Sequence, residues 1–150
     1  LFILRSFTKS FGLAGLRIGY GLGSKKIIEI LQRVKIPWNV NYIAQTAASA
    51  ALCYSDFLEK SRKNIKKENL FLMNSLSKFE WLSCFSSSTN FILIKTKINS
   101  KLLQKKLIKK NILVRDCSTF CGLNENYIRI AVKNRVQNKL LVKALGEIKW

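Results

Sequence analysis

The sequence predicts an α/β chain whose second part is a compact α+β unit, and three observations carry that prediction. Short apolar runs bounded by Gly, Ser, Thr and Asn are interspersed with segments of helical spacing. One long, charged helical segment, from about Asp56 to Ser77, interrupts them. After it the texture changes to strands and helices that read as antiparallel, so the domain boundary falls inside that helix. We place residues 1–65 in the first part and 66–150 in the second.

Each element has a local reason. Leu1 to Arg5 is an apolar run that reads as a buried strand. Ser6 to Gly15 is rich in Gly, Ser and Thr and reads as a loop. Arg17 to Gly23 has strand character. Ser24 then caps a helix that carries Ile27, Ile28, Ile30, Leu31 and Val34. Pro37, the single proline, breaks the chain before Trp38. Asn41 opens a helix to about Tyr54 whose alanines allow close packing. In the second part, Trp81 to Phe85 and Asn90 to Lys95 read as strands. Ser100 to Lys110 is a helix capped by Asn99 or Ser100. Ile112 to Arg115 and Tyr127 to Val132 are further strands, and Asn134 caps the last helix. No internal repeat is evident.

Composition narrows the function classes. The chain has 150 residues and is 48% hydrophobic, enough for an ordinary core and too apolar for a disordered tail. Lys and Arg number 27 against 8 Asp and Glu, giving +19. That excess invites a nucleic-acid or membrane reading. The charges are scattered over helix-like segments, however, and no nucleic-acid motif accompanies them. We therefore expect solvated helix faces, no nucleic-acid partner and no membrane partner. A positive field still attracts anionic ligands such as phosphates. The chain has no His, so neither a His base nor a His metal ligand is available. Cys117 and Cys121 lack the partners of a zinc site. No metal and a cytoplasmic location with free thiols are expected. The chain opens abruptly on Leu1, which reads as a fragment or the product of a truncated gene.

The informative segment runs Ser6-Phe7-Thr8-Lys9-Ser10-Phe11-Gly12-Leu13-Ala14-Gly15-Leu16-Arg17-Ile18-Gly19-Tyr20. A lysine between hydroxyl residues, with an arginine eight residues on, sets an amine beside groups that can bind an anion. The amine can act as a nucleophile, and the hydroxyls and the guanidinium can donate to anionic oxygens. A flexible loop with a solvated lysine and a surface arginine would use the same residue types, and Thr8 could simply cap a turn. The segment resembles the lysine segment of fold-type I aminotransferases of classes I and II, which depend on pyridoxal 5′-phosphate (PLP). About ten positions agree at fixed spacing, which makes the pattern specific. The resemblance implies an α/β chain that is the C-terminal part of a fold-type I PLP-dependent transferase. It would hold the end of the large α/β domain, the long connecting helix and the small C-terminal α+β domain. It also implies that Lys9 is the catalytic Schiff-base lysine, and that Ser6, Thr8 and Arg17 hold the cofactor's phosphate.

The second part offers candidates for the substrate. Arg129 lies in Tyr127-Ile128-Arg129-Ile130, similar to the strand in which the family keeps its carboxylate-binding arginine; it could instead face solvent from an edge strand. Arg115, in Ile112-Leu113-Val114-Arg115-Asp116, would help hold an anionic substrate end, or would pair with Asp116 beside it. Asn90 matches a segment that approaches the site, with a turn or cap role as its alternative. Pro37-Trp38-Asn39-Val40-Asn41 resembles the branch of histidinol-phosphate aminotransferases and the threonine-phosphate decarboxylases of cobalamin biosynthesis. The stretches around Arg115-Asp116-Cys117-Ser118 and Gly122 to Val132 look more like the decarboxylase. A phosphorylated amino acid is thus the expected small-molecule substrate, and a homodimer the usual family assembly. The carboxylate that pairs with the cofactor ring nitrogen is expected outside these residues, because Asp56 and Asp116 do not sit in the family's context for it. The isolated chain would then have little activity. An inactive, truncated subunit module and a nucleic-acid binder are the readings from other classes.

Overall fold

The structure is a computed structural model that describes residues 1–148. It divides into two compact units, Leu1–Ser61 and Arg62–Trp150.

In the first unit, β1 (Phe2–Ser6) and β2 (Gly19–Gly23) form an antiparallel two-stranded sheet. Between them lie a single helical turn, α1 (Phe7–Ser10), and a 3-10 turn at Ala14–Leu16. The expected loop therefore contains a helical turn. Ser6 nucleates it by accepting the Thr8 N–H at 3.2 Å, a local bond that composition alone does not reveal. The strand over Leu1 to Arg5 forms, but it is not buried. Leu4 is 76% exposed, because the two-stranded sheet offers its apolar residues little cover.

Two longer helices follow, α2 (Lys25–Val34) and α3 (Tyr42–Leu52). Ser24 precedes α2 in the extended conformation of an N-cap, without a side-chain bond. Asn41 caps α3 by accepting the Ala44 N–H at 2.8 Å. Ala44 and Ala48, one turn apart, form a small core with Phe7 and Ile18. The Phe11 ring packs against that core and stacks on Phe57 at 5.8 Å, within the first turns of α4 (Ser55–Leu76).

The second unit is a four-stranded antiparallel sheet in the order β3 (Leu82–Cys84), β4 (Phe91–Thr96), β6 (Tyr127–Ala131), β5 (Arg115–Asp116). Its alternation puts Ile92, Ile94, Ile128 and Ile130 on one face. Leu72 and Leu76 of α4, Leu103 and Leu107 of α5 (Ser100–Ile108), and Leu141 and Leu145 of α6 (Arg135–Gly146) join the same core. Each such side chain contributes about 1.5–3 kcal/mol by leaving water. Asn99 caps α5 and Asn134 caps α6 through side-chain oxygens. The strand expected over Ile112 to Arg115 forms only at Arg115–Asp116. Upstream of it, Asn111 takes a left-handed φ of 58° and its N–H bonds back to Ile108, so the chain there is still turning off α5.

Candidate functional site

The candidate residues fall into two groups, one in each unit. In the first, Ser6 is the N-cap of α1, and Thr8 and Lys9 lie within its single turn. The register pair Ser6↔Gly19 and the bond from the Phe7 N–H to the Ile18 carbonyl (3.3 Å) bring the chain at Arg17 back beside that turn. Gly19 permits this return: a Cβ there would stand 2.6 Å from the Arg5 carbonyl oxygen. Arg17 adopts φ 51° and ψ 51°, a left-handed conformation that costs a residue with a Cβ about 1–2 kcal/mol. Its Nη1 donates to the Ala14 carbonyl at 3.1 Å.

Donors in this group remain available. Lys9 is exposed and makes no ion pair or hydrogen bond among the described residues. Ser6 Oγ accepts from Thr8, which leaves its own O–H free to donate. Arg17 spends Nη1 on Ala14 and keeps the rest of its fork. An amine, a hydroxyl and a guanidinium with unspent donors fit a cofactor that carries an aldehyde and a phosphate.

In the second unit Arg129 and Arg115 are register partners across β5 and β6. Directly opposed residues of an antiparallel pair share a face, so the two guanidiniums rise from the same side of the sheet. That side is opposite to Ile128 and Ile130 and carries Phe91, Leu93 and Tyr127. Arg129 lies over the Phe91 ring at 4.7 Å, and Arg115 over the Phe120 ring at 5.5 Å. These aromatic platforms hold and orient the cations.

Asp116 does not pair with Arg115, because strand alternation turns it to the other face. It accepts from Ser100 Oγ at 2.6 Å, from the Ser118 N–H at 2.9 Å and from Ser118 Oγ at 2.8 Å. The Ser100 hydroxyl and the Ser118 N–H hold its carboxyl below the usual carboxylate range. The two cations thus share one face of the sheet, each over its own ring. Cys117 is buried beside them, and burial pushes its thiol up. Asn90, half-buried just before β4, accepts the Val132 N–H on its backbone carbonyl at 2.8 Å.

Sequence reasoning passed over one cluster. Glu68 on α4 is 3% exposed, and the Nε of Arg135 donates to both its carboxylate oxygens at 3.0 and 3.1 Å. Arg135 Nη2 adds a contact at 3.0 Å, and Asn138 Nδ2 donates at 2.9 Å. The Arg135 bond, with Asn138 behind it, outweighs burial and holds the Glu68 carboxyl below its ordinary range. A signal was present: Glu68 lies at i, i+4, i+8 spacing with Leu72 and Leu76, and a charge on an apolar stripe needs a partner.

A profile of the family described as "Aminotransferase class I and II" matches residues 1–145. The chain belongs to that family. Histidinol-phosphate aminotransferase of Methanothermobacter thermautotrophicus is 40% identical over 99% of this chain and 40% of its own length. The crystal structure of histidinol-phosphate aminotransferase from Clostridium acetobutylicum matches with a TM-score of 0.88 at 34% identity, covering 97% of this chain and 44% of that one. L-threonine-O-3-phosphate decarboxylase from Porphyromonas gingivalis matches at 0.83 and 32% identity, covering 97% and 46%. The chain thus spans less than half the length of these relatives, and its fold is part of the fold-type I architecture. No helix among the described residues is long and apolar enough to cross a membrane. No His, Cys, Asp and Glu cluster among them suits a metal ion.

Proposed function

We propose that this chain is the lysine-bearing and arginine-bearing part of a PLP-dependent enzyme acting on a phosphorylated amino acid, and that the reaction is decarboxylation of threonine phosphate. The first unit is then the C-terminal part of the large cofactor-binding domain, and the second is the small C-terminal domain. PLP is the cofactor of the family. When bound, it supplies an aldehyde for an amine and an electron sink for a bond broken at Cα.

The residues of this chain have separable tasks in this reading. Lys9 offers the amine that bonds the cofactor and, once released, holds or moves a proton near the substrate Cα. Ser6, Thr8 and Arg17 bind the phosphate and keep the ring in place. Arg129 binds the substrate carboxylate, Arg115 helps to hold its phosphate, and Asn90 lines the approach.

The observation that carries the proposal is the Arg115–Arg129 register pair. Two cations on one face suit a substrate with two anionic groups, and threonine phosphate carries both a carboxylate and a phosphate. Transfer of the amino group from histidinol phosphate is the second reading. It is favoured by the similarity to aminotransferases on both the sequence and the structural side. We include a homodimer and a cytoplasmic location in the proposal; four unpaired cysteines suit a reducing compartment.

Borohydride reduction of the PLP-treated protein, followed by peptide mapping, tests the lysine. An adduct on Lys9 that is lost in Lys9→Ala is expected, and labelling elsewhere with Lys9 unmodified sinks the assignment. Carbon dioxide released from O-phospho-L-threonine supports decarboxylation. Amino transfer from L-histidinol phosphate to a 2-oxo acid, without that release, replaces it with the second reading.

A further inference from the structure

The β6–α6 turn is tied to one carboxylate. Asn138, 1% exposed, uses its whole amide there: Oδ1 accepts the Lys133 N–H at 3.0 Å, and Nδ2 donates to the Lys133 carbonyl at 2.8 Å and to Glu68 at 2.9 Å. Arg135, in the first turn of α6, grips Glu68 and lies over the Phe71 ring of α4 at 4.0 Å. The turn begins one residue after β6, where the Val132 N–H bonds to the Asn90 carbonyl. Arg129 lies three residues before Val132 on the same strand.

Stability alone is a poor reason for such a network. Apolar residues of similar volume often stabilise a fold as well as a buried ion pair does. What a directional network adds is a fixed geometry.

We infer that Glu68 is a positioning residue for the end of strand β6, and through that strand for Arg129 and Asn90. The link to ligand binding rests on the reading of Arg129 as an anion-binding residue. Glu68 touches no ligand in this scheme. It holds Asn138 and Arg135, these hold Lys133 and the turn, and the turn sets where the Arg129-bearing strand ends.

The test uses Glu68→Gln, with Arg135→Lys as a milder second variant should the first fail to fold. The first readout is amide hydrogen exchange. Exchange at Val132 and Lys133 should accelerate about tenfold or more, while amides of the β3–β4 pair, such as Lys95, keep their protection. The second readout is the affinity for inorganic phosphate, followed on the Arg115 and Arg129 Nε resonances. It should fall about fivefold, and a Glu68→Gln/Arg129→Gln double variant should lose nothing beyond Arg129→Gln alone. Uniform acceleration across the sheet, or unchanged exchange at Val132, overturns the inference. So does an equal further loss of phosphate affinity in the Arg129→Gln background. A parent chain that binds no phosphate, combined with local acceleration at Val132 in Glu68→Gln, overturns the reading of Arg129 and supports the positioning of β6.

Discussion

Arg115 and Arg129 stand directly opposite one another across the β5–β6 pair, and no carboxylate separates them, because Asp116 faces the other way into its two serines. Each guanidinium lies over its own ring, Arg129 over Phe91 and Arg115 over Phe120.

Two cations on one face give the first prediction. Inorganic phosphate should raise the melting temperature of the chain, by an amount equivalent to about 1.4 kcal/mol at ten times its dissociation constant. Arg129→Gln should lose most of that response. Without phosphate the variant should melt within about 1 kcal/mol of the parent, since losing the contact with the Phe91 ring offsets the relief of like charge. Thermal melts with and without phosphate measure both. A parent that shows no phosphate response speaks against an anion site here.

Acid should unfold the second unit through two carboxylates. Glu68 is held low by Arg135, and Asp116 by Ser100. Both folded values lie below the unfolded ones. Their stabilisation is therefore fully present above the ordinary carboxylate range and is lost as pH falls through the depressed folded values. Urea denaturation across that acidic range should show the decline. Glu68→Gln with Asp116→Asn should start lower and fall less steeply.

Asn138→Ala should destabilise the second unit by about 2–4 kcal/mol. It strips a bond from Glu68 and leaves the Lys133 N–H and carbonyl without their side-chain partner. A lower urea midpoint with an unchanged slope would show it. A midpoint within error of the parent would mean that water replaces the amide.

Gly19→Ala should damage the lysine turn from a distance. The added Cβ meets a backbone oxygen, that of Arg5, and a backbone atom cannot swing away as a side chain can. We expect a loss of about 1–3 kcal/mol and weaker PLP labelling of Lys9, because Gly19 is the register partner of Ser6. Labelling at the parent level would show that the β1–β2 pairing does not set the turn.

Most of the second unit was legible because its signals are local. Asn99, Asn134 and the apolar run Phe91 to Ile94 announce two helices and a strand through caps and strand-forming residue types. The one-turn helix under Lys9 was hidden, because a turn that short rests on a single Ser6 bond rather than on periodicity. The exposure of Leu4 was hidden too, since an apolar strand does not reveal how many strands will cover it.

The lysine segment determined the family by itself, because about ten residue types at fixed spacing rarely agree by chance. Lys9, Ser6, Thr8 and Arg17 could be named from it without coordinates. Only the tertiary structure decided that Arg115 is the register partner of Arg129 while Asp116 bonds its serines, and that a buried glutamate anchors the turn after the Arg129 strand. The reason is physical. Cross-strand register and helix-to-turn bonds join residues far apart in the chain, as Glu68 and Asn138 are, and no local pattern encodes which of them will meet.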